Sequence, residues 1–174
     1  MLLLDREGAK ADVWTRVETL DLTADNVIVA LAQLRDALAA RRPGQHIGAA
    51  IDNTERAAAL EPFFRELALI VIAFPTGYNG RGLSIARQLR ERGFVGALRA
   101  SGPLVSDQFP HALACGFDEI ELPDDSAKRQ PVEQWLDAAQ RISVTYQRGY
   151  SYGAVTNILE QRRAARLAGV GNNV

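Results

Sequence analysis

The sequence predicts an α/β domain: a mainly parallel sheet of four to five strands with helices on both sides, or, as the alternative, a half-barrel of βα units. Helical and strand-like patterns alternate from residue 31 to residue 142, the arrangement of βα units on a parallel sheet. Residues 67–74 form an unbroken apolar run, which suits a central strand better than an edge strand with one wet face. At 174 residues, with 47% hydrophobic and 24% charged side chains, the chain is long enough for one well-buried domain, read here as residues 1–146.

Each element has a local cause. Leu31, Leu34 and Leu38 form a helical stripe that Pro43-Gly44 closes. Residues 47–51 are short and apolar, and stop at Asp52-Asn53-Thr54, side chains that cap helices and close turns. A helix or helical loop follows over residues 55–67, re-entered at Pro62. After the strand at 67–74, residues 75–82 form a glycine-rich loop. Leu83, Ala86 and Leu89 then mark a helix that Gly93 ends. Residues 97–100 are a strand, Ser106 an N-cap with Pro110 in the first turn, and Gly116 the stop of that helix. Residues 118–122 are the last strand. A helix from about Pro131 places Val132, Trp135, Leu136, Ala139 and Ile142 on one face. Near the amino terminus, residues 13–17 alternate like an edge strand or hairpin arm. Residues 147–174 read as a docking or mobile tail, with tyrosines 150 and 152 and a short amphipathic helix from Val155 carrying Arg162, Arg163 and Arg166.

Lys+Arg 20 against Asp+Glu 21 leaves a net charge of −1, so charge implies no nucleic-acid partner. No apolar run approaches the roughly 20 residues that cross a bilayer. The first residues meet charge too early for a secretory core, which makes the cytoplasm the expected compartment. Cys115 is the only cysteine, so no internal disulfide, CxxC pair or four-thiolate cluster is available. His46 and His111 lack partners at metal-ligand spacing, and no metal site is expected. Cys115, at a helix carboxyl end, reads as a small core residue.

The loop Asn79-Gly80-Arg81-Gly82 joins a central strand to a helix, where glycines admit an anion to backbone N–H groups and Arg81 adds a charge. The same pattern also serves a tight strand-to-helix connection with Arg81 paired to an acid. It matches neither the Walker loop nor G-x-G-x-x-G. Parallel βα sheets bind ligands outside the carboxyl ends of their strands. The anion site is accordingly read as Gly80, Arg81, Gly82 and Arg99, with Asp52, Asn79, Ser101, Asp107, Gln108 and Glu121 lining the same pocket. Arg99, inside a strand, either reaches a ligand or pairs with Asp52 or Glu121. Asp107 is also explained as a first-turn acid.

Taken together, Phe74-Pro75, Gly80-Arg81-Gly82, Ala86-Arg87, residues 89–92, Leu98-Arg99-Ala100, Asp107-Gln108 and Cys115-Gly116-Phe117-Asp118 resemble one bacterial family of unknown function. It is the nine-hundred-and-thirty-fourth of the domain-of-unknown-function series, with members often labelled "oxidoreductase, probably involved in sulfite reduction". The family usually has Asp where this chain has Asn79, and the run 101–104 also differs from its pattern. The resemblance implies sulfur assimilation as context. The leading expectation is an accessory protein of assimilatory sulfite reduction that binds a small anion or phosphate group. The alternatives are a flavin- or nicotinamide-dependent reductase and a non-catalytic adaptor of sulfite reductase. The apolar face of the tail helix is compatible with a homodimer.

Overall fold

The computed structural model describes residues 1–77 and 79–141, together with the backbone of Val144–Thr145 and Thr156–Asn157. Apart from a separate two-stranded pair, Val144–Thr145 with Thr156–Asn157, its strands are β1 (Leu2–Leu4), β2 (Ala9–Lys10), β3 (Thr15–Arg16), β4 (Asn26–Ala30), β5 (His46–Ile51), β6 (Leu67–Ala73), β7 (Ala97–Ser101) and β8 (Glu119–Leu122). The helices are α1 (Leu34–Ala40), α2 (Ala57–Leu60), α3 (Arg81–Glu91), α4 (Phe109–Ala114), α5 (Asp124–Arg129) and α6 (Val132–Arg141). One sheet holds all eight strands in the order β2-β1-β8-β7-β6-β5-β4-β3. From β3 to β8 every pairing is parallel, while β1 and β2 add antiparallel at the β8 edge.

The strand order from β3 to β8 never reverses. Right-handed crossovers that always step in one direction lay every helix on the same face. The side chains agree: Val27, Val29, Ile47, Ile51, Ile70, Ile72, Leu98 and Ile120 share one core with residues of α1, α2, α3, α4 and α6. Their strand neighbours Ile28, Leu69 and Val71 form a second, small cluster with Trp14, Ala50 and Ala97. Of the two architectures in the sequence reading, the chain therefore adopts the half-barrel. Helices on both faces would need a reversal of strand order that this topology lacks.

Chain length alone requires the sheet to curl. β2 and β3 are its two edges, joined only by residues 11–14. Such a connection reaches at most about 18 Å, whereas the edges of a flat eight-stranded sheet lie about 34 Å apart. Residues 11–14 therefore span the open side of the half-barrel. Trp14 packs against the concave face there, on Gly48, where an added Cβ would lie 3.3 Å from the indole and 3.2 Å from the Leu69 Cβ.

The sheet exceeds the expected four to five strands because β1, β2, β3 and β4 come from the first thirty residues. β3 is an edge strand as read, but it pairs in parallel, so it is not a hairpin arm. The helical stripe from Leu31 begins with a 3-10 turn, Leu31–Gln33, ahead of α1. Residues 55–67 hold only α2 and a 3-10 turn, Glu61–Phe63, with Pro62 at its start. Asp124–Arg129, between β8 and α6, is a short helix absent from the sequence reading. Thr156–Asn157, where the tail helix was read to start, pairs in parallel with Val144–Thr145; the rest of the tail lies outside the described residues. None of the described helices is long and apolar enough to cross a membrane.

Candidate functional site

The sequence-predicted site residues fall into two groups, one on the concave face of the sheet and one in the loops beyond the carboxyl ends of β6 and β7. Arg99, Ser101 and Glu121 belong to the concave, helix-free face, since Leu98, Ala100, Ile120 and Leu122 beside them face the helices. The alternation of β5 puts the exposed Asp52 on that face too. Asn79, Gly80, Arg81, Gly82, Asp107 and Gln108 lie instead in the loops that lead from β6 into α3 and from β7 into α4.

Arg99 is 1% exposed and surrounded by acids. Its Nη1 and Nη2 donate to the two carboxylate oxygens of Asp12 at 2.8 and 2.9 Å, and its Nε donates to Glu119 Oε1 at 2.8 Å. Glu121 Oε2 lies 3.5 Å from Nη1. Burial works against the charge, but the bonds to Asp12 and Glu119 more than offset it, so the group stays protonated. Glu121 is thus one partner the sequence suggested and Asp52 is not; Asp12 and Glu119 are new. The network extends outward through Lys10, 2.9 Å from Glu119, and Arg16, 2.5 Å from Glu121. Arg16 belongs to the far edge of the sheet from β8, so this contact exists only because the sheet curls.

Glu119 and Glu121 were legible in principle. They alternate with Ile120 and Leu122, which puts two carboxylates on one face of a buried strand and calls for cations opposite. Residues 5–16 supply three of the charges, so the network pins that segment to the concave face.

The network gives a pH dependence. Burial raises the Asp12 carboxyl, but Arg99 and the Trp14 N–H pull it net below the ordinary value of 3.8. A depressed acid stabilises the fold above its unfolded pKa, and the contribution is lost as pH falls through the folded value. Acid titration should therefore destabilise the wild type below about pH 4, and Asp12→Asn, already less stable at neutral pH, should show a shallower acid loss in denaturation midpoint. Equal acid slopes in the two proteins would remove Asp12 from this role. Lys10 is raised above 10.5, chiefly by its bond to Glu119, so its contribution holds below that value and is lost in strong alkali.

The second group is built around the amino end of α3. Asn79 Oδ1 accepts the Arg81 N–H at 3.2 Å, and Gly80 ends the loop with φ −74°. The Arg81 side chain is exposed and has no ion-pair partner among the described residues. Gly82 is a packing glycine: an added Cβ would lie 2.5 Å from the Phe74 ring. Gly80 has neither constraint, since the nearest atom to an added Cβ is a Leu83 methyl at 4.0 Å. Gln108 is a clasp between loops, its Nε2 donating to the Gly77 carbonyl and its Oε1 accepting the Val105 N–H at 3.0 Å. Gly102 shares that seam: its φ is +148°, and an added Cβ would come 2.0 Å from the Phe74 carbonyl oxygen. Asp107 is exposed in the first turn of a 3-10 segment, Ser106–Gln108.

Cys115 is half-buried and lies outside the core clusters, unlike the core residue the sequence reading had, and burial pushes its thiol above the ordinary value, which does not favour a nucleophile. Among the described residues no group of three or more His, Cys, Asp or Glu side chains is placed to hold a metal ion.

Fold and site together define a half-barrel of βα units with a charge-paired concave face and an open helix amino end beside it. A model described as "Bacterial protein of unknown function (DUF934)" matches residues 48–154, and the chain belongs to that family. No curated protein matches it. The match begins at β5, so the pinned segment 5–16 lies outside it.

Proposed function

We infer that the protein is an accessory protein of assimilatory sulfite reduction that binds a small oxyanion at Gly80, Arg81 and Gly82. The observation that carries the site is Arg81, an exposed guanidinium without an acid partner among the described residues, set in the first turn of an eleven-residue helix. The Arg81 and Leu83 N–H groups are taken by Asn79 Oδ1 and the Gly80 carbonyl, so it is the exposed guanidinium and the positive end of the helix dipole that favour an anion there, and Gly80 leaves the approach clear where the fold itself does not require glycine. Arg99 is not part of the site, because three carboxylates already neutralise it. The sulfur context comes from the family label, which makes sulfite the first anion to test and sulfite reductase the partner to look for.

Calorimetric titration of the full chain with sulfite, sulfate and phosphate tests this. Sulfite is expected to bind, and Arg81→Ala to weaken it by about tenfold or more, the worth of one charged hydrogen bond. Gly80→Ala, whose Cβ meets no protein atom closer than 4.0 Å, should keep the fold while crowding the anion. No heat with any of the three anions, or an Arg81→Ala protein that binds as wild type, defeats the assignment.

A further inference from the structure

A recess of about 510 Å³ opens on the concave face, away from α3, with Arg16, Glu18, Ala30, Ala32, Gln33 and Ala50 among its walls. Its position follows from the topology. A sheet whose strand order never reverses has no switch-point crevice, so a ligand site falls at the carboxyl ends of the strands, as in closed βα barrels. Ala30 is the last residue of β4, Ala50 the next to last of β5, and Ala32 and Gln33 lie in the turn directly after β4.

The register explains why space is left there. Ile28 sits beside Gly48, and that level of the concave face is filled by Trp14 and Leu69. One level further toward the carboxyl ends, Ala30 sits beside Ala50, and two methyl groups fill far less. β3 ends at Arg16, and after the Val17 N–H bonds the Ile28 carbonyl at 3.1 Å, no strand of the described residues continues along that edge of β4.

The chemistry of the walls is specific. Arg16 is anchored through Nη2, which donates to Glu121 Oε2 at 2.5 Å and lies 3.4 Å from Ser101 Oγ. Its side chain is still 41% exposed, and its Nε and Nη1 bond no described residue. Gln33 is oriented by its Nε2, which donates to the Glu18 carbonyl at 3.0 Å. Glu18 contributes the opposite charge. A held guanidinium with donors to spare, above a floor of small apolar residues, matches a planar carboxylate on a short apolar body. Glu18 opposes a second negative charge on the same ligand.

We propose that this recess binds a small monocarboxylate, its carboxylate on Arg16 and its apolar body over Ala30, Ala32 and Ala50. The site is separate from the anion site at α3 and does not rest on it.

Ligand-observed NMR titration of the full chain with hexanoate tests the proposal, with hexanamide and succinate as comparisons. Hexanoate should give a saturable response, and hexanamide and succinate responses weaker by about tenfold or more. Ala30→Leu, at an exposed position that tolerates a larger side chain, fills the recess and should abolish the hexanoate response with the denaturation midpoint unchanged. Arg16→Gln should weaken hexanoate but not hexanamide. Arg81→Ala should bind hexanoate as wild type does, which separates this site from the one at α3. The proposal is overturned if hexanoate gives no saturable response, if Ala30→Leu or Arg16→Gln leaves it intact, or if Arg81→Ala removes it.

Discussion

Arg99→Ala is expected to lower the stability of the folded chain by about 3–5 kcal/mol, the usual cost of removing one partner from a buried charge cluster. The reason is what stays behind. Glu119 and Glu121 have side chains only 7% and 4% exposed, and Asp12 lies over them, so the substitution leaves three carboxylates facing each other with one cation fewer. Lys10 and Arg16 engage Glu119 and Glu121 from the rim, but neither bonds Asp12. Lysine at position 99 should recover only part of the loss, since a single ammonium cannot reproduce the two-pronged grip on Asp12 while also reaching Glu119. Denaturant titration reads the cost, and limited proteolysis reads its location: with Asp12 released, cleavage should rise within residues 5–16 before it rises elsewhere. A loss below about 1 kcal/mol would mean that the acids relax into water and that the cluster does not hold the segment.

The cluster also shows which parts of the fold are legible in the sequence. β6, α3, β7 and β8 follow from local apolar periodicity and their glycine and proline stops, because burial there is decided by neighbours within a few residues. β4 is harder to see: Asn26–Ala30 runs straight into Leu31, so its apolar residues merge with the start of the helical stripe. β1 and β2 are too short for a period to register, and β3 shows only through the alternation of residues 13–17, which does not reveal that it pairs in parallel. That all helices share one face is a property of strand order, which no local pattern encodes. The placement of Arg81 at a strand-to-helix turn could be read from sequence because its setting is a single loop. The state of Arg99 could not, since its principal partner, Asp12, is 87 residues away and arrives only because the sheet curls.

Curling also divides what the sequence reading had as one pocket. Arg99, Ser101 and Glu121 turn inward with the strands, whereas Gly80 and Arg81 stand at the start of a helix that packs outside. The two faces carry different chemistry. The inner one is charge-paired, with an open recess where alanines meet at the carboxyl ends. The outer one exposes a guanidinium whose surroundings are set by packing glycines and the Gln108 clasp. Substitutions on one face should therefore leave binding at the other unchanged.

Trp135→Ala should cost about 3–5 kcal/mol, comparable to Arg99→Ala but by another route. The indole is fully buried and meets Phe109 edge-on, with ring centroids 5.7 Å apart and planes at 70°. Removing it empties space in the packing between α6 and α4. The indole Nε1 is buried without an acceptor among the described residues, and a buried donor left unmet carries a desolvation cost of about 1–3 kcal/mol. Trp135→Phe removes that donor and keeps most of the contact with Phe109, so its cost should be under half that of alanine, unlike a tryptophan that donates a hydrogen bond. The alanine substitution should reach the proposed anion site, because α6 packs against the turn Ser106–Gln108 as well as against α4. With that turn loosened, Gln108 loses its hold on the Gly77 carbonyl and the loop before α3 is no longer fixed. Sulfite affinity measured below the unfolding transition should then fall in Trp135→Ala and stay near wild type in Trp135→Phe. Equal losses of stability in the two variants would show that the indole Nε1 makes a bond the fold depends on.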